Sequence, residues 1–228
     1  MVVGVGVSIT RKLLIDQIFS GIDPFASHAN VSAVQNAVLP EGWGSTHPYF
    51  AKYIEMLKPK LIVEVGTWLG GSAVHMGNLL RAAGLNDSCI VCVDTWLGSP
   101  EHYLDPEMRR TLKLVDGRPT FYADFMQNVV QHGLQGIILP FSMTSTGAAE
   151  VLGELKIAPD LVYLDGDHSA RAFRADLDLY WELLRPGGVV IGDDFDWKGP
   201  QAEVINFSWV HKLEFIKFEN KFAIQKPA

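Results

Sequence analysis

Five short apolar runs, LIVEV (61–65), CIVCV (89–93), GIILP (136–140), LVYLD (161–165) and GVVIG (188–192), alternate with segments of helical period. Each run is rich in β-branched residues and bounded by turn formers, the pattern of strands covered on both faces. Between them, Ala73, Met76 and Leu80 lead to Gly84, Phe121, Phe125 and Val129 lead to Gly133, and Phe173, Leu177, Trp181 and Leu184 stop before Pro186. Those spacings place the apolar side chains on one face of a helix. Strands that alternate with helices pair in parallel, because each crossover returns the chain to the same edge of the sheet. The tail breaks the rhythm: KLEFIKF (212–218) and KFAIQ (221–225) alternate around a Glu219-Asn220 turn, which predicts an antiparallel hairpin. The fold class expected is α/β, a doubly wound, mostly parallel seven-stranded sheet with a C-terminal antiparallel hairpin.

Ahead of the first strand, Leu14, Ile15, Ile18 and Phe19 give one amphipathic segment and Phe50, Tyr53, Ile54 and Leu57 another, ending before Pro59. The expected organisation is one domain over 1–228, with an N-terminal helical segment at 1–58 and a core at 59–228. Residues 97–118 are long for a strand-to-helix link and carry no period, so a flap over the strand ends is expected. With 48% hydrophobic and 20% charged residues the composition is globular, and the net charge of -7 argues against nucleic acid or anionic membrane as partner. A small-molecule substrate fits better. The opening MVVGVGVSITRKLLIDQIF lacks the basic leader of an export signal. Cys89 and Cys92 have redox-motif spacing, but an odd offset within a strand sends them to opposite faces. They read as core residues of a cytoplasmic protein. Apolar residues near the amino end suggest a homo-oligomer.

Three places carry chemistry. In EVGTWLGGS (64–72) a strand runs through Gly66 and Gly70 into a helix opened by Ser72, a turn that lets backbone amides approach a charged ligand. A pyrophosphate loop would need a second glycine where Trp68 stands, and the acid Glu64 suits a ligand bearing an ammonium group. A tight β-to-α turn alone would use the same glycines. Asp94 closes the next strand, where an acid commonly accepts hydrogen bonds from ribose hydroxyls. Lastly, LVYLDGDHS (161–169) and GVVIGDDF (188–195) bring Asp165, Asp193 and Asp194 to one sheet edge. That density of carboxylates suits a hard divalent cation such as Mg²⁺, although Asp165 or Asp167 could instead cap the helix after Ser169. His168 would project over the same edge as a general base. The remaining histidines, including His47 and His102, read as surface or packing residues.

The order of these motifs resembles the class I S-adenosylmethionine (SAM)-dependent methyltransferases, with their Rossmann-like sheet. EVGTWLGGS is similar to the first motif, Asp94 to the ribose acid, LLRPGG (183–188) to the turn before the fifth strand, and the terminal hairpin to the reversed last strands. GWGS (42–45), LDGDHS and GDDF resemble the metal-dependent small-molecule O-methyltransferases, of both the catechol and the macrolide-sugar type. The resemblance implies SAM as cofactor, with Ser45, Glu64, Gly66, Gly70, Ser72, Asp94 and Asp165 around it and Trp96 and Ser142 near adenine. It also implies Asp165, Asp193 and Asp194 as metal ligands and His168 as base; the catechol type has lysine there. The activity implied is methyl transfer to a hydroxyl of a sugar, phenol or polyketide-like molecule. Two other readings stay open: a metal-dependent phosphohydrolase of haloacid-dehalogenase type, because LDGDH holds Asp-x-Asp after a strand, and a non-catalytic SAM- or nucleoside-binding module.

Overall fold

The computed structural model describes residues 9–40, 42 and 44–228. The apolar opening MVVGVGV and Trp43 of GWGS lie outside the described residues. Helices α1 (Ile9–Ile18) and α2 (Pro48–Leu57) precede strand β1 (Leu61–Val65). The chain then runs through α3 (Gly71–Ala82), β2 (Cys89–Asp94), α4 (Pro100–Leu104), α5 (Pro106–Thr111), α6 (Phe121–Gln131) and β3 (Ile138–Ser142). It continues with α7 (Ser145–Glu154), β4 (Leu161–Leu164), α8 (Ala170–Leu183), β5 (Val189–Gly192) and α9 (Lys198–His211) and closes with β6 (Phe215–Phe218) and β7 (Lys221–Gln225).

The seven strands form one sheet in the order β3-β2-β1-β4-β5-β7-β6. Strands β1 to β5 pair in parallel and β7 runs antiparallel between β5 and β6. β1 lies between β2 and β4, with Val63 opposite Val91 on one side and Val162 on the other. The strand period of two divides the core. Val63, Val91, Val162 and Val190 pack toward Leu177, Tyr180 and Val204, while Ile62, Ile90, Leu161 and Val189 pack toward Phe50, Met76 and Phe125. Each face of the sheet is thus covered, as parallel strands require.

Several elements depart from the sequence reading. The third strand begins two residues later than expected, at Ile138, and contains Pro140; β3 is an edge strand, where a missing N–H is tolerated. Helices α7 and α9 carry no clear apolar stripe in sequence, and α9 leaves Trp209 and Val210 exposed. The 97–118 segment is partly helical rather than irregular. Pro100 and Pro106 start α4 and α5, Ser99 and His102 form a reciprocal capping box, and Asp105 caps α5 through the Glu107 and Met108 amides. These helices are too short to show a period.

Candidate active site

The carboxyl ends of β1, β2, β4 and β5 and the loop after β3 open into a cavity of about 1220 Å³, with α4, α5 and Trp197 forming its far wall. Ligands of doubly wound sheets bind at this edge.

On one side lies the glycine loop. Gly66 has φ +80°, and a Cβ there would lie 2.0 Å from the Asp165 carbonyl oxygen, so only glycine lets β1 and β4 end side by side. Trp68, where a glycine was missing from the sequence pattern, also adopts a left-handed φ of 46°. Asp94 pins this loop: its Oδ2 accepts from the Thr67 and Trp68 amides, both at 2.9 Å, and its Oδ1 from the Trp96 amide at 2.7 Å. Two carboxylate oxygens offer about four lone-pair sites, so room is left for a hydroxyl from the cavity, which Asp94 lines. Ser45, Gly66, Ser72 and Asp165 line it too.

Four residues expected around the cofactor do not line the cavity. Gly70 is the left-handed N-cap of α3, backed by the Phe125 ring. Trp96 turns into the core, meets Tyr122 edge-on and Phe125 at a tilt, and donates from its indole to the Trp68 carbonyl at 2.9 Å. It braces the loop from behind. Ser142 points to solvent, and the following Met143, Thr144 and Ser145 take the wall position. Glu64 is wholly buried and accepts hydrogen bonds from the hydroxyls of Thr67 and Ser72, which do face the cavity.

Burial pushes the Glu64 carboxyl up to about 7, against the hydrogen bonds from Ser72 and Thr67 that favour its charged form. The fold therefore prefers Glu64 protonated. Its contribution to stability is complete below the unfolded value of 4.5 and is lost as pH rises through about 7. Glu64→Gln, which stays neutral, should gain about 3 kcal/mol relative to wild type between pH 4.5 and 8. Urea denaturation of both proteins across that range measures it, and a constant difference would place the proton elsewhere.

The other side of the cavity holds the acids. Asp165, His168 and Asp194 converge, each offering one donor atom within 4.8 Å of the others. His168 Nε2 lies 2.9 Å from Asp194 Oδ2 and Nδ1 lies 3.5 Å from Glu101 Oε2 on α4. Nδ1 is buried without a hydrogen-bond partner, and the ring packs edge-on against Trp197. Burial alone would lower the His168 pKa, but the hydrogen bond and charge of Asp194, with those of Asp165 and Glu101, outweigh it and hold the imidazolium up to about 9. Burial, reinforced by Asp193, pushes Asp165 well above the usual carboxylate range.

Asp193 does not join this group. Its Oδ2 pairs with the Lys221 ammonium, and its Oδ1 accepts from Asn220 at 2.6 Å and from the Asp194 amide at 2.8 Å. The Tyr163 hydroxyl bridges the two sets, 2.9 Å from Asp165 Oδ2 and 2.8 Å from Asp193 Oδ2.

Sequence reasoning missed Lys221, Tyr163, Glu101, His102 and Asp176. Lys221 opens β7 and Tyr163 sits inside β4, where strand alternation hides both. His102, read as a surface or packing residue, lines the cavity from α4 beside Glu101. Asp176 lies on the inward face of α8, and burial raises it to about 6.

Comparison with known proteins bears on the fold and the family. The family described as methyltransferase domain matches residues 63–195, from β1 to the end of the Asp193-Asp194 loop. Rhamnosyl O-methyltransferase of Mycobacterium tuberculosis (strain ATCC 25618 / H37Rv) is 27% identical over 153 residues, 66% of this chain and 51% of its own length. Mycinamicin III 3''-O-methyltransferase of Micromonospora griseorubida is 27% identical over 150 residues, covering 60% of this chain and 56% of its own. The 4'-O-methyltransferase of Streptomyces olivaceus that acts on 8-demethyl-8-(2,3-dimethoxy-alpha-L-rhamnosyl)-tetracenomycin-C is 32% identical over 148 residues, 60% of this chain and 53% of its own. The chain spans about half the length of these curated relatives. Among solved structures, the O-methyltransferase NovP superposes with a TM-score of 0.58 at 19% identity over 79% of this chain and 78% of its own. An O-methyltransferase from Bacillus cereus in complex with SAH gives 0.57 at 12% over 95% of this chain and 97% of its own. The phosphohydrolase reading finds no support in these matches. With its seven-stranded sheet in this order and a match over most of the core, the chain belongs to the methyltransferase domain family.

Proposed function

We propose that the protein transfers a methyl group from SAM to a hydroxyl of a small molecule, a sugar hydroxyl in first place, with help from a divalent cation. One observation carries the reading: the glycine loop with Asp94 and the group Asp165, His168 and Asp194 line the same cavity. Its volume of about 1220 Å³ exceeds the usual range for one drug-sized ligand, so cofactor and acceptor can be held together. Sugar as acceptor is supported by the names of the three relatives. The reduced cysteines fit a cytoplasmic protein, and no helix among the described residues is long and apolar enough to cross a membrane.

The residues fit both groups. For the cofactor, Gly66 leaves backbone open to the cavity, Asp94 keeps acceptor capacity for ribose, and Ser45, Thr67 and Ser72 add hydroxyls. For the cation, Asp165 and Asp194 offer carboxylate oxygens at a partly buried edge, the donors Mg²⁺ takes. Bound SAM supplies a methyl group already activated on a sulfonium, and a bound divalent cation supplies acidification of the acceptor hydroxyl. The chain itself must hold the acceptor and take its proton. Asp194 fixes the His168 ring through Nε2, which leaves Nδ1 as the atom that accepts the proton. The α4–α5 segment, as a flap, excludes water from that transfer.

Calorimetry with SAM and SAH tests the cofactor: wild type should bind both, and Asp94→Ala should lose about 1.5–3 kcal/mol, the worth of hydrogen bonds to a charged group. Unchanged affinity in that variant would remove Asp94 from the ribose. Transfer of a labelled methyl group to rhamnosides tests the reaction, and excess chelator should abolish it while SAH still binds. Full transfer in chelator would remove the cation.

A further inference from the structure

A buried cation lies behind the acidic edge. Lys221 starts β7, is wholly buried, and holds its ammonium against Asp193 Oδ2 and 3.0 Å from the Tyr163 hydroxyl. The rings of Phe50 and Tyr163 flank it at 5.8 and 5.1 Å. Gly44 covers it, since a Cβ there would come within 2.9 Å of the ammonium. An ammonium sealed from water this way is costly unless strongly paired, and Asp193 is the carboxylate that pairs it. Asp193 in turn is filled: Lys221, Asn220 and the Asp194 amide occupy both oxygens, with the Tyr163 hydroxyl beside Oδ2. An aspartate has about four lone-pair sites, and three of them are taken by Lys221, Asn220 and the Asp194 amide, with the Tyr163 hydroxyl shared between Asp193 and Asp165 at the fourth, although Asp193 still lines the cavity.

We propose that Lys221 is a built-in counter-cation of the acidic edge, a positioning residue that neutralises Asp193 and keeps it out of the ligand set of the divalent cation. The inference rests on the metal reading of the same site. Asp165 and Asp194 are then the carboxylates that bind the cation, and the site's charge is set for one divalent ion. Three carboxyl groups meet at adjacent strand ends, and the β7 lysine pairs with that of Asp193 from behind. The antiparallel turn at Glu219-Asn220 delivers both Lys221 and Asn220 to Asp193, so the terminal hairpin contributes directly to the site.

The experiment titrates Mn²⁺ into the full chain without cofactor or acceptor and counts free ion by electron paramagnetic resonance. Wild type should bind one Mn²⁺, and Asp165→Asn or Asp194→Asn should weaken it at least tenfold. Lys221→Met frees a carboxylate without a partner and should tighten Mn²⁺ roughly tenfold or admit a second ion. Lys221→Met with Asp193→Asn removes the pair with no change in net charge. It should bind Mn²⁺ within about threefold of wild type, and it covers the case in which the single variant fails to fold. A double variant that loses Mn²⁺ as fully as Asp165→Asn would show Asp193 to be a ligand and overturn the proposal while leaving the metal reading intact. A folded Lys221→Met with wild-type affinity and one ion would overturn it as well, showing a lysine that only fills space. Wild type that binds no Mn²⁺ would remove both readings together.

Discussion

His168→Ala is expected to lower the rate constant of methyl transfer by about 10²–10⁴-fold, the usual contribution of a positioned base, and to leave SAH affinity unchanged. The expectation follows from where the ring sits. Asp194 holds Nε2 at 2.9 Å and the ring packs edge-on against Trp197, so the imidazole is fixed with Nδ1 buried, without a hydrogen-bond partner, 3.5 Å from Glu101 Oε2. The polar and ring partners of His168 are Asp194, Glu101 and Trp197, none of them in the loop at 66–72, so its removal should spare the cofactor. Thermal stability separates the two roles: a histidine that only packs would cost stability and leave the chemical step alone. The measurement is single-turnover transfer with saturating cofactor, where chemistry rather than product release sets the rate. A variant that turns over at the wild-type rate would leave proton removal to solvent.

The pH profile adds a sign. Asp194, Asp165 and Glu101 hold His168 protonated up to about 9, and only the neutral ring can accept a proton. Turnover should therefore rise with pH, and the wild-type rise should be absent from His168→Ala. Binding of a cation by Asp194 and Asp165 removes part of the negative charge that keeps the proton on, so saturating metal should move the rise toward lower pH. A rise that stays in place at every metal concentration would separate His168 electrostatically from the cation.

Much of this was legible in sequence because the signals were local. The strand runs, the glycine turn, the terminal hairpin and the placing of Asp165, Asp193, Asp194 and His168 at one edge all follow from periodicity and chain order. What sequence did not reveal depends on which way a side chain turns once neighbouring strands meet. Asp193 and Asp194 are consecutive, so in extended chain they point to opposite sides; the left-handed φ of 52° at Asp194 completes the separation, sending one toward β7 and the other toward His168. Lys221 looks like a solvated strand end, yet it is sealed, because β6 and α2 cover β7 where β5 leaves it open. Glu64 reads as a ligand for an ammonium group, but Thr67 and Ser72 claim its oxygens first. Helices α4 and α5 are set by caps and prolines rather than by an apolar stripe, and a search for periodicity passes over them.

The largest effect on the fold is expected at Gly66. A methyl group there would meet the Asp165 carbonyl oxygen at 2.0 Å, the Asp165 carbonyl carbon at 2.5 Å and Gly166 Cα at 2.7 Å, all backbone atoms with no rotamer to swing away. Neither strand end can yield easily, because the Gly66 amide donates to Val93 at 2.9 Å and the Asp165 amide donates to Val65 at 2.8 Å. Left-handed backbone costs an alanine about 1–2 kcal/mol and overpacking about 1–3 kcal/mol more. Gly66→Ala should therefore lose about 3–5 kcal/mol, much of the margin of a typical domain. Gly84 supplies the control: its φ of +70° is similar, but a Cβ there meets nothing within 4 Å. Gly84→Ala should pay the backbone cost alone, about 1–2 kcal/mol. The difference between the two variants in urea denaturation isolates the contact between the ends of β1 and β4. Any relaxation that lets Gly66→Ala fold must move Asp165 away from β1, so a folded variant should lose SAH affinity and Mn²⁺ affinity together. Equal stability of the two variants would mean that the β1–β4 junction yields without cost, and the joint placement of cofactor loop and acidic edge would then need another origin.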